Sequence, residues 1–166
     1  MKLKLLTATL ALACSALYAQ TVEVKDAWVR SPVKGQQGTG AFMNITAKEA
    51  TRLVGVSSPV AGVAQVHEMK MEGDVMKMRA VPVLDLPAGR TVQLKPGGYH
   101  IMLMDLKQPL PKDGKVALTL RFMDAKGLES RLELAVPVSQ AAPTAGNGAG
   151  PGHAEDKAKQ HGVQKN

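Results

Sequence analysis

Short stretches of strict apolar–polar alternation, each closed by a glycine- or proline-bearing turn, leave this chain little room for anything but an all-β fold. The alternation runs through Thr21 to Val29, Arg52 to Val56, Val116 to Phe122 and Arg131 to Val136, the pattern of strands with one buried and one exposed face. Between them lie Pro32 with Gly35, Ser58-Pro59, Pro87-Ala88-Gly89, Lys95-Pro96-Gly97-Gly98, Lys112-Asp113-Gly114 and Ala125-Lys126-Gly127, all turn-forming groups. No window of helical length carries a continuous 3.6-residue apolar stripe. Seven to nine short strands within residues 22–137 are therefore expected, packed as a Greek-key sandwich or small barrel.

The 166 residues suffice for one domain with a real core and are too few for two of ordinary size. Lys2 and Lys4 precede an apolar run from Leu5 to Leu17 that ends at the small residue Ala19. A basic start, an apolar middle and a small-residue end form the pattern of an export signal, so residues 1–19 are expected to be cleaved and residues 20–138 to form the domain in the periplasm. The run falls short of the roughly 20 residues that span a bilayer. Ala11-Leu12-Ala13 before Cys14 is in the wrong order for a good lipidation signal, which disfavours a lipid anchor there. Loss of that segment removes the chain's single cysteine and with it thiol redox chemistry. From residue 139 to 166 the chain turns to Ala, Gly and Pro, then Lys, Gln and His, and is expected to be a disordered tail. The net charge of +7 falls to +5 without Lys2 and Lys4, and aromatics are only 3%. Neither a basic stripe nor stacking platforms for bases are present, which sets nucleic acid aside.

The chemistry concentrates between His67 and Met104. The sequence reads HEMKMEGDVMKM and then GGYHIMLM. Residues 63–82 predict a hairpin turning about Glu72-Gly73, in which His67 faces Met78 and Met69 faces Met76. Period-two alternation then puts His67, Met69, Met71, Met76 and Met78 on one face. A strand from Tyr99 to Leu106 would present His100, Met102 and Met104 on one face in the same way. Docked together, His67, Met78, His100 and Met102 would surround one ion with two imidazoles and two thioethers. That set suits Cu(I) and is poor for zinc, calcium or magnesium. Each residue alone has a plainer reading, since methionine fills irregular cores and a strand histidine is commonly a hydrogen-bonded one. The joint pattern tips the balance: six of eight methionines after the signal lie from Met69 to Met104, beside two of four histidines. Met69, Met76 and Met104 are expected as auxiliary or partner-contact residues, and Trp28 and Phe42 as core anchors. Glu68 should alternate away from His67, while Lys77 and Arg79 flank the site.

The spacing of His67, Met78, His100 and Met102 reads H-x10-M-x21-H-x-M and resembles the signature of the PCuAC family of periplasmic copper chaperones. Leu53-Val54-Gly55-Val56-Ser57-Ser58-Pro59, His67-Glu68-Met69, Met76-Lys77-Met78-Arg79 and the stretch from Leu94 to Met104 are similar to that family too. The resemblance covers residues 22–137. It implies a cupredoxin-like β-barrel or sandwich binding Cu(I) through those four residues. It further implies delivery of copper to the copper-bearing subunit of cytochrome c oxidase, alongside a Sco-type thiol partner. A monomeric binding protein, not an enzyme, is expected.

Two other readings use the same residues. A periplasmic copper tolerance or storage protein would need no dedicated recipient. A metal-free β-sandwich would use the methionines as an adhesive patch. In the tail, His153 and His161 are either incidental or accessory copper ligands, with Cu(II) as a candidate ion.

Overall fold

The computed structural model describes residues 21–110 and 113–143. Among the described residues ten strands make up the architecture, one more than the upper sequence expectation. They are β1 (Val22–Arg30), β2 (Gly38–Ala47), β3 (Thr51–Ser57), β4 (Ala61–Glu72), β5 (Val75–Ala80), β6 (Leu84–Leu86), β7 (Thr91–Leu94), β8 (Tyr99–Leu106), β9 (Lys115–Asp124) and β10 (Glu129–Ser139). Strands β6 and β7 are three and four residues long, too short for alternation to mark them.

The strands hydrogen-bond in the order β5-β4-β8-β7-β2-β1-β10-β9-β3-β6, with β8 also paired to β2. All neighbours are antiparallel except β1 with β10 and the single pairing of β7 with β8. Those exceptions show where the chain crosses between parts of the sheet. The sheet curls around one core, because residues from both of its ends pack together. Ile45, Ile101 and Leu103 of one end and Leu53, Leu118, Leu120 and Phe122 of the other belong to a single buried cluster.

Alternation decides which side chains join that core. On β8, Ile101 and Leu103 are fully buried in it, so His100, Met102 and Met104 must leave by the other face. On β4, Val66 enters the core, so Gln65, His67 and Met69 leave by the same outer face. On β2, Ala41, Met43 and Ile45 point inward while Gly40 and Phe42 point outward. The candidate residues thus sit on the sheet's convex side, away from the main core.

Beyond the body of the sheet, β4 and β5 continue as an arm. Every residue of β5 is exposed, and β5 ends the strand order. The arm turns on Gly73-Asp74, with Glu72 paired to Val75. Gly73 adopts φ of +61°, which glycine accepts without the steric penalty that a Cβ brings. A positive φ at the first loop residue is the pattern of a type II′ hairpin turn.

Candidate metal centre

The hairpin register differs from the sequence expectation by two residues. His67 pairs with Ala80, Met69 with Met78 and Met71 with Met76. His67 therefore does not face Met78, and Met69 does not face Met76. The cause is the turn, which is centred on Gly73-Asp74 and not on Glu72-Gly73. A slip of two preserves parity, so all five residues still share the outer face.

What faces His67 from the other side is His100. The pairing of β4 with β8 places them directly opposite each other, and Met102 opposite Gln65. The two imidazole centroids are 6.0 Å apart with the rings at 70°. His67 is the hub of the arrangement. Met78 on β5 and Met102 on β8 each occupy a diagonal position to it, on opposite sides of the histidine row. Diagonal neighbours on a sheet lie about 7–8 Å apart, within reach of long side chains. The fold thus joins the two histidines directly and brings each methionine to a flank. Met102 is half-buried and Met78 is 50% exposed.

Hydrogen bonding sets which nitrogens are free. His100 Nδ1 lies 2.9 Å from the Gly98 carbonyl oxygen. A carbonyl only accepts, so Nδ1 of neutral His100 carries the proton and Nε2 keeps its lone pair. The same carbonyl accepts the Met69 backbone N–H at 3.2 Å, which ties β4 to the entrance of β8. A ligating histidine is commonly oriented through its second nitrogen in this way. His67 Nε2 approaches the Gln65 side-chain oxygen weakly, at 3.4 Å. His67 Nδ1 is buried with no hydrogen-bond partner. An unpaired buried polar atom is costly and uncommon in a native protein; a metal ion would satisfy it.

Burial and the neighbouring His100 both hold the His67 imidazole below its ordinary pKa. The neutral, ligating form is favoured. In linkage terms the unfolded chain takes up the His67 proton at a higher pH than the folded one. The resulting stability contribution is intact above the unfolded value of about 6.5. It is lost as pH falls through the lower folded value, and is constant below that. The melting temperature of the metal-free protein should therefore fall as pH drops from 7 to 5, and a His67→Gln variant should show a smaller decline.

An aromatic wall backs the histidines. Trp28 pairs with Phe42 across β1 and β2, their centroids 4.7 Å apart. Phe42 in turn stands 6.4 Å from His100. The row Trp28, Phe42, His100, His67 runs across four strands on the outer face. Trp28 and Phe42 are buried, but they are not members of the main core cluster. They form a small second core on the site's own face, capped by the Arg30 guanidinium 5.2 Å from the Phe42 ring. The expectation of core anchors holds for their burial, and their core is this outer-face one. Every residue of β2 is buried or half-buried, so alternation could not reveal which of its faces meets the core.

Gly40, opposite Met102, makes room for this wall. A Cβ there would stand 2.7 Å from the tip of the Phe42 ring. Gly40→Ala should push the ring from its place between Trp28 and His100, at about 1–3 kcal/mol. Denaturant unfolding, with Trp28 fluorescence recording the displaced ring, measures both effects.

The reverse face of the arm is charged. Lys77 and Arg79 both bind Glu72, and Lys77 chiefly holds the Glu72 carboxyl below its usual range. They alternate to the face opposite the methionines, as solvated residues on either side of Met78 in sequence. Glu68 lies on that face too, beside Arg79 and Tyr99. Burial foremost, with Glu68 adding, raises the Tyr99 hydroxyl's pKa. Met104 pairs with Val63 and Gly38, beyond Met102 and further from the histidines. Among the described residues no three His, Cys, Asp or Glu side chains converge, so the thioethers are integral to any donor set built on the histidines. Cys14, His153 and His161 lie outside the described residues.

The LpqE-like family model, described as "Putative lipoprotein LpqE-like", matches residues 22–138. The chain belongs to this family. A relative from Leifsonia xyli subsp. xyli (strain CTCB07), "Putative lipoprotein Lxx21020", is 37% identical over 121 residues, covering 72% of this chain and 70% of the relative. Solved structures similar to this LpqE-like protein are PCuAC domains. Apo-DR1885 from Deinococcus radiodurans is 30% identical with a TM-score of 0.57, covering 85% of this chain and 95% of that one. Its Cu(I) form has a TM-score of 0.52 at 28% identity, covering 75% and 82%. The copper-bound PCuAC domain from PmoF2 has a TM-score of 0.54 at 25% identity, covering 72% and 94%. The LpqE-like chain therefore has the cupredoxin-like all-β fold of PCuAC domains.

Proposed function

We propose that this protein is an exported Cu(I) carrier that holds the ion with His67, His100, Met102 and Met78. It would release copper by ligand exchange to the copper centre of cytochrome c oxidase, with a Sco-type protein as a further partner. The observation that carries the reading is the buried, unpartnered His67 Nδ1 opposite His100, flanked on both sides by thioethers. Copper-bound forms of two similar domains support it.

The donor set matches the task. Imidazole and thioether do not join into disulfides in an oxidising compartment, as paired thiolates do. Neutral donors leave the single charge of Cu(I) in place and do little for Cu(II). Exposure is graded: Met78 on the edge strand is open, while His67 is 9% exposed. A recipient can displace the outer thioether first and reach the histidine last. No redox step is needed, and the protein acts as a binder without catalysis. The lipoprotein description of the family and of its relative supports an envelope location. The mass of the mature N-terminus would distinguish cleavage after Ala19 from lipid attachment at Cys14.

The test is an anaerobic Cu(I) competition titration coupled to transfer into an apo oxidase copper domain. Stoichiometric uptake followed by transfer is expected, with loss of oxidase activity in a deletion strain at low copper. Uptake without transfer, with copper sensitivity and normal oxidase, would instead identify a tolerance or storage protein. Affinity should fall by roughly tenfold per pH unit for each imidazole once protons compete for it. A flat affinity from pH 7.5 to 5 would remove the histidines from the site.

A further inference from the structure

We infer that Met69, Met71 and Met76 form a second, outer Cu(I) site on the arm, separate from the histidine pair. The direct pairings Met69 with Met78 and Met71 with Met76 line up four thioethers in two adjacent rows on one face. Opposed side chains have Cβ atoms about 4.5–5.5 Å apart, and rows on a strand repeat every ~7 Å. Met78 belongs to the inner site under the functional reading above, on which this inference rests for that division. The other three remain as an unassigned soft donor set.

Packing does not account for Met71 and Met76, while Met69 is half-buried. Met43, a core methionine, is 2% exposed, whereas Met71 and Met76 are 55% and 48% exposed. On the arm's opposite face the positions are mostly charged, Lys70, Glu72, Lys77 and Arg79, with Val75 the apolar exception. Three uncharged, flexible sulfur donors on an exposed strand pair fit a soft monovalent cation. The ionic side chains of Glu68, Lys70, Glu72 and Lys77 alternate to the reverse face, so carboxylates that would recruit hard cations are turned away. Having no proton to lose, thioethers also keep such a site open at acidic pH, where the histidines are competed for by protons.

The experiment is an Ag(I) nitrate titration of the mature chain labelled with 13C in its methionine methyl groups, in chloride-free buffer. Ag(I) shares the charge and soft-ligand preference of Cu(I) without its redox chemistry. Two equivalents are expected, the second roughly tenfold or more weaker because it lacks imidazole, and moving the Met69, Met71 and Met76 methyl signals. The double variant Met71→Leu/Met76→Leu, which keeps apolar volume and removes sulfur, should lose the second equivalent and keep the first. His67→Ala/His100→Ala should do the reverse. Saturation of the wild-type chain with the Met71 and Met76 methyl signals unmoved overturns the outer site. So does a second equivalent that survives in the leucine variant. Failure of the inner copper reading has a different signature: an unmoved Met102 methyl signal and no loss of an equivalent in His67→Ala/His100→Ala, whatever the arm does.

Discussion

His100→Ala should lower Cu(I) affinity by at least roughly a hundredfold, since losing even an outer partner of a metal-bound histidine costs 10–100-fold. Three structural facts make this a more damaging change than loss of a flanking thioether. His100 is the residue directly opposite His67. Its orientation is fixed by the Gly98 carbonyl, and its ring rests near the Trp28–Phe42 wall. The fold thus holds Nε2 ready for an ion before one arrives. Met78→Leu should cost less, because Met78 is half-exposed on an edge strand and Met69 stands directly opposite it as a substitute sulfur. Competition titrations against a Cu(I) chelator rank the two variants. An affinity loss in Met78→Leu equal to that in His100→Ala would contradict the graded site.

The difference between these variants could not have been read from the sequence. Period-two alternation identified the face of every candidate donor correctly, because parity survives the two-residue difference in hairpin register. Partner identity did not survive it. Gly73 was placed as the second residue of the turn, whereas it is the first, and that alone moved Met78 from opposite His67 to opposite Met69. The pairing of His67 with His100 depended on β4 lying beside β8, a long-range choice that local pattern does not encode. The same holds for Trp28 and Phe42. Their apolar character predicted burial, but β2 is covered on both faces, so only the assembled sheet shows that they back the site. Short β6 and β7 owe their strand conformation to neighbours already in place: β6 pairs with β3 and β7 with β2.

Ile101→Ala should destabilise the metal-free protein by about 2–5 kcal/mol, the usual range for truncating a buried isoleucine. Ile101 is fully buried and lies between His100 and Met102 in sequence, on the face of β8 opposite to theirs. Strand β8 is hydrogen-bonded to β4 on one side and to β2 on the other. The core contact of Ile101 therefore presses the strand that carries two donors against the strand that carries the third. Truncation removes that contact without touching any donor atom. Copper binding and stability should consequently separate in a defined way. If the loosened strand still reaches the native arrangement, free Cu(I) at 100 times its Kd should return about 2.7 kcal/mol, by favouring the folded state alone. Urea unfolding with and without Cu(I), under reducing and anaerobic conditions, reads both quantities. His100→Ala should show the opposite profile, with a modest change in the metal-free midpoint and little gain on adding copper. Equal copper-dependent gains in the two variants would mean that the ion is held somewhere other than between β4 and β8.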